Sequence, residues 1–104
     1  MPPTMTINRP YFYVDFNEMI DASTVVLSAS DSKIDAHGVT VQLHEGMLVC
    51  VYMDDLDANG NVDNLMANGV VTKNAERGWA AHVKWCCRID SDGIRPQSEI
   101  TRSV

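Results

Sequence analysis

The sequence predicts an all-β chain: a small antiparallel, partly closed barrel of about six short strands, SH3-like or OB-like in size. Three observations carry this expectation. Apolar residues alternate with period 2 rather than 3.6 over most of the chain. β-branched and aromatic residues gather in short runs. Clusters of Asp, Asn, Ser and Gly punctuate those runs at close intervals.

Residues 1–9 read as a flexible N-terminal tail, residues 10–95 as one domain, and residues 96–104 as a C-terminal tail or an edge strand. Tyr11 to Phe16 is rich in aromatics and opens the domain as a strand. Thr24 to Ser28, with Val25, Val26 and Leu27, is a second strand, and Asp31-Ser32 marks a turn. Asp35-Ala36-His37-Gly38 is a further turn in which Gly38 supplies a positive φ. After it, Val39, Val41 and Leu43 alternate with Thr40 and Gln42, as in a half-buried strand. Met47 to Met53 is apolar throughout and is expected to be central, covered on both faces. An acidic loop comes next, and Leu65 to Thr72 resumes a strand.

The last long segment is Trp79 to Asp90. As a strand it divides cleanly, with Trp79, Ala81, Val83, Trp85, Cys87 and Ile89 on one face. As a helix, Asn74 would cap it and Trp79, Val83 and Cys86 would share a stripe. Gly78 and the run Val83-Lys84-Trp85-Cys86-Cys87 favour the strand. Pro96 restricts the C-terminal residues to an edge strand or a tail.

Composition bounds the function. The 104 residues suit a single domain. A chain of this length buries about 60–65% of its unfolded surface, enough for one core without staples. Fourteen acids against eight bases leave a formal net charge of -6. That sign repels nucleic-acid phosphates and anionic lipid and favours a basic protein partner or a divalent ion. No apolar run approaches the ~20 residues of a membrane span. The three cysteines, Cys50, Cys86 and Cys87, are odd in number and lack a C-x-x-C spacing, so a reducing, cytoplasmic setting is expected.

The densest motif is Asp55 to Asp63. Asp55, Asp57, Asn59, Asn61 and Asp63 occupy positions 1, 3, 5, 7 and 9 of a calcium-loop pattern, with Gly60 at position 6. These five are the candidate metal ligands, for calcium. Position 12, which should be a bidentate glutamate, is Met66, and both flanks read as strands where an EF-hand needs helices. The alternative is a hairpin loop built from ordinary turn formers.

Aromatics supply the second cue. Tyr11, Tyr13, Tyr52 and Trp79 are the candidate binding surface, because thin strands cannot bury every ring and small barrels present such residues to ligands. The N-terminal strand could also pair with a second copy to form a homodimer. A thiol enzyme built on Cys86 or Cys87 and His82 needs a helix to bring base and thiol together, since four residues of strand span about 13 Å. No catalytic residue is therefore assigned. The resulting expectation is a non-enzymatic, acidic binding module that caps a basic protein partner, as small inhibitors do. A calcium-binding domain stands second and a thiol enzyme third.

Overall fold

The computed structural model describes residues 9–75, 78 and 80–102. Among them nine strands and one short helix succeed one another: β1 (Tyr11–Tyr13), β2 (Met19–Asp21), β3 (Thr24–Ser28), β4 (Ser32–Ile34), β5 (Thr40–Gln42), β6 (Leu48–Met53), β7 (Leu65–Lys73), β8 (Trp85–Ile89), β9 (Arg95–Pro96) and α1 (Gln97–Arg102). The expected all-β class holds. The main sheet runs β1-β6-β7-β8-β3-β2, with β9 continuing beside β7, while β4 and β5 form a separate hairpin. Among the described residues no helix is long and apolar enough to cross a membrane.

Two features of the architecture differ from the expectation. The sheet is mixed, because β1 lies parallel to β6 with Tyr11 opposite Cys50 and Tyr13 opposite Tyr52. No hairpin joins these strands; the chain runs through β2 to β5 before returning alongside β1, and that route permits a parallel pairing. The sheet also stays open. β1 and β2 end the strand order at opposite edges, so no ladder closes a barrel among the described residues.

One sheet face carries the main core. Phe12, Val25, Val49, Val51, Val71 and Cys87 are fully buried there, with Trp85, Ile89, Leu27 and Leu43 around them. Val41 of β5 packs against this cluster, so the β4–β5 hairpin covers part of the face. The packing of β7 on β8 depends on a glycine. A Cβ at Gly69 would collide with Cys87 Sγ and stand 2.5 Å from the Arg88 carbonyl oxygen.

A smaller cluster occupies the opposite face: Ala80, Val83 and Cys86, with Ile20 and Val26 against them. It exists because the chain before β8 is neither the long strand nor the helix that the sequence suggests. Residues 80–82 form a turn, and the strand starts only at Trp85. Asn74 holds that turn, its Nδ2 donating to the carbonyls of Ala80 at 2.8 Å and Val83 at 2.9 Å. A side chain that looks like a helix cap is thus a staple between β7 and the turn. The Lys84 ammonium forms an ion pair with Asp31 nearby, at an exposed site where such pairs contribute little.

Three smaller differences are local. Ser32 opens β4 instead of marking a turn. β6 is not covered on both faces, since Leu48 is exposed and Tyr52 and Met53 are half-buried. The segment from Pro96 is the end of a two-residue strand followed by α1.

Candidate binding surface

Aspartate chemistry shapes the loops of this protein, and it decides how the acidic segment reads. Asp57 Oδ1 accepts from the backbone N–H groups of Asn59 at 2.8 Å and Asn61 at 3.0 Å. Asp57 N–H donates to the Asn61 carbonyl, and Gly60 N–H to the Asp57 carbonyl. Gly60 sits at φ 82, the left-handed conformation that this turn requires of its fourth residue. The same arrangement recurs at Asp35-Ala36-His37-Gly38. There Asp35 Oδ1 accepts from His37 and Val39 N–H, each at 2.9 Å, and Gly38 also sits at φ 82. One turn, written Asp-Ala-His-Gly and Asp-Ala-Asn-Gly, closes two hairpins.

The five candidate metal ligands are therefore dispersed. Asp57 caps its own turn. Asn59, Asn61 and Asp55 are exposed on the hairpin, and Leu56 and Val62 bridge it. Asp63 turns away toward α1, where its Oδ1 accepts from Ser98 N–H at 2.9 Å and its Oδ2 from Ser98 Oγ at 2.7 Å. Among the described residues no group of three or more His, Cys, Asp or Glu side chains stands close enough to hold a metal ion. The calcium-like spacing is explained by turn geometry that needs oxygen-bearing side chains and a glycine at the same offsets.

Most other aspartates have similar duties. Asp15, Asp21 and Asp90 each accept a backbone N–H two residues ahead. Asp31 pairs with Lys84. Asp54, Asp55 and Asp92 differ: none of their carboxylates makes a hydrogen bond or ion pair with a described residue. Asp54 and Asp55 line an open hollow of about 590 Å³ together with Leu56, Val62 and Asn64. Leu56 is 59% and Val62 76% exposed, an uncovered apolar pair bridged across the hairpin.

The hairpin grows out of β6 and β7, and the uncovered side of those strands carries the tyrosines. Strand registers align Tyr13, Tyr52, Met66 and Arg95 in one row across β1, β6, β7 and β9. The Tyr13 and Tyr52 rings meet edge to face, with centroids 5.5 Å apart and planes at 87°. Tyr11 and Tyr13 are 42% and 48% exposed, while Phe12 between them is fully buried. Arg95 ends the row; its buried Nε has no hydrogen-bond partner among the described residues. Three of the four candidate surface aromatics thus share one face. Trp79 lies outside the described residues. The sequence had no means to single out Leu56, Val62 or Arg95, because only the hairpin bridge brings Leu56 to Val62 and only the pairing of β7 with β9 brings Arg95 into the tyrosine row.

The thiols have an inert environment. Burial pushes all three upward: Cys50 despite the offsetting charge of Arg9, Cys86 with a further contribution from Asp21, and Cys87 to about 12. His82 is exposed on the turn, whereas Cys86 is buried beneath it. A nucleophilic cysteine needs the opposite shift.

Comparison of the chain with protein-family models, with curated proteins and with solved structures returned no match.

Proposed function

We propose that this protein is a non-enzymatic binding module that takes an extended, basic segment of another protein. One observation carries the reading. Asp54 and Asp55 have no structural duty among the described residues, yet they stand beside an exposed Leu56–Val62 pair on the hairpin that joins β6 to β7. Carboxylates without a local partner are available to lysine or arginine, and charge complementarity of this kind sets specificity and association rate. Tyr13 and Tyr52 add rigid contact area at low entropic cost.

The raised thiols and the exposed, separate His82 support a non-enzymatic role, and the free cysteines suit a reducing, cytoplasmic compartment. The test is capture of arginine-containing and lysine-containing extended peptides, read by fluorescence anisotropy over a salt series. Binding should weaken as salt rises, and D54N/D55N should lose it by about ten-fold or more without a change in melting temperature. Tyr13→Ala should weaken it at every salt concentration. Capture that ignores both salt and the Asp54/Asp55 charges would overturn the proposal.

A further inference from the structure

The exposed tyrosines belong to a larger surface. Phe12, Val51 and Ala67 point into the main core, so by strand alternation Tyr11, Tyr13, Cys50, Tyr52, Met66 and Asn68 point to the opposite side of the sheet. The turn at residues 80–82 covers that side only over Cys86, Val26 and Ile20. Tyr11, Tyr13 and Leu48 stay exposed on it, an apolar area wider than isolated surface side chains account for.

Two neighbouring rows cross this surface. One is Tyr11–Cys50–Asn68. Asp90 extends it: its N–H donates to the Asn68 carbonyl at 2.9 Å, one step beyond the Gly69↔Ile89 pair of β7 and β8. The other row is Tyr13–Tyr52–Met66–Arg95. β6 occupies one side of β7, so β8 and β9 share the other, and Asp90 and Arg95 stand in one lane a row apart. Neither forms an ion pair with a described residue. Asp90 Oδ1 accepts from Asp92 N–H at 3.1 Å, which leaves its second oxygen open.

We propose that this surface packs on its counterpart in a second copy of the chain, about a twofold axis that lies between the two rows and crosses the strands. Such an axis reverses strand direction but keeps strand order, so each row lands on the other. Tyr11 meets the second copy's Tyr13, Cys50 meets its Tyr52, and Asp90 meets its Arg95. Symmetry forms that ion pair twice. An axis along the strands would instead set both charges over tyrosines and pair neither, so charge selects the first arrangement. The free edge of β1 is a poorer route to a dimer, because it is three residues long and Ala36 N–H already donates to the Tyr11 carbonyl. Four strand lanes by three rows cover about 400 Å² per copy, the low end for a specific interface, so the dimer is weak, with Kd on the order of 10 µM. Tyr13 and Tyr52 fall within it, so a second copy and a bound basic segment exclude one another. The dimer itself does not rest on that reading.

The experiment is sedimentation velocity of the full chain from about 1 µM to about 1 mM. The parent should pass from monomer to dimer over that range. D90K and R95E each oppose like charges across the axis, and each should weaken self-association at least ten-fold. Mixed in equal amounts, the two should form a heterodimer near parental strength, because each supplies the charge that the other lacks. Y11A, at an exposed position, should weaken the parental dimer independently of charge. Melting curves verify that the variants fold. A parent that stays monomeric at about 1 mM, single variants that dimerise as the parent does, or a mixture that stays monomeric would overturn the interface. A monomeric parent that captures basic peptide overturns the dimer alone; a dimer with no such capture at any concentration overturns the proposed function alone.

Discussion

Gly69→Ala should be among the most damaging single-methyl changes in this protein. The added Cβ would meet Cys87 Sγ and would stand 2.5 Å from the Arg88 carbonyl oxygen and 3.1 Å from its carbon. Both Arg88 atoms belong to the backbone of β8, which pairs with β7 from Gly69↔Ile89 to Lys73↔Trp85 and with β3 on its other side. The carbonyl cannot retreat without pulling a central strand out of register with two neighbours. Overpacking of this kind costs about 1–3 kcal/mol, and a backbone obstacle places it near the top of that range. For a domain of this size about 3 kcal/mol lowers Tm by roughly 12–20 °C. The assay is thermal and urea unfolding followed by tryptophan fluorescence, since Trp85 sits in the affected core. The double variant G69A/C87A refines it. Removing the sulfur relieves one collision and leaves the carbonyl, so less than half of the lost stability should return. A Tm for G69A within about 2 °C of the parent would refute the close approach of β7 and β8.

The loops and the thiols carry further expected outcomes. Asp35→Ala and Asp57→Ala should cost similar amounts, about 1 kcal/mol each by chemical denaturation, because each removes the same two backbone acceptor contacts. Millimolar calcium or EDTA should leave Tm unchanged in the parent and in both variants, and a calcium-dependent rise lost only in Asp57→Ala would restore the ion reading. Asn74→Ala should free the turn over Cys86, so a thiol reagent at neutral pH should label Cys86 faster while Cys87 stays slow; equal acceleration of both would mean global rather than local opening. Cys87 favours its protonated form on folding, so its contribution to stability is complete below its ordinary value of 9.0 and is lost as pH rises toward about 12. In Cys87→Ala the fall in Tm over that alkaline range should be shallower than in the parent, and an identical slope would contradict the shift.

The sequence was legible where structure is local. β5 derives directly from alternation, and the turns at Gly38 and Gly60 from residues that tolerate a left-handed φ. Tyr11 and Tyr13 oppose Phe12 as the sequence predicts, because side-chain direction in a strand has a fixed period. What failed was non-local. The parallel partnership of β1 with β6 depends on the path of the intervening chain, which no window of residues records. The segment before Trp85 alternates in pattern but folds as a turn, since Asn74 captures two of its carbonyls from another element. Strand β4 is three residues long and contains Lys33, too brief for a period to register. Arg95 joins the candidate surface only through the register of β9 against Met66.

The acidity of the chain shows why composition is a coarse guide to partners. Asp15, Asp21, Asp35, Asp57 and Asp90 serve the backbone turns beside them, Asp63 serves α1, and Asp31 pairs with Lys84. Those residues would be retained whatever the protein binds, because a turn short of its acceptor leaves backbone donors unpaired. Net charge counts them equally with Asp54 and Asp55, whose carboxylates serve no turn among the described residues. Subtracting those seven aspartates leaves six carboxylates without a hydrogen bond or ion pair to a described residue, those of Asp54, Asp55, Asp92, Glu18, Glu45 and Glu99. Of these, Asp54 and Asp55 border the hairpin hollow beside Leu56 and Val62. Salt should then weaken capture of a basic segment through Asp54 and Asp55, and neutralising the other four should leave that salt dependence unchanged.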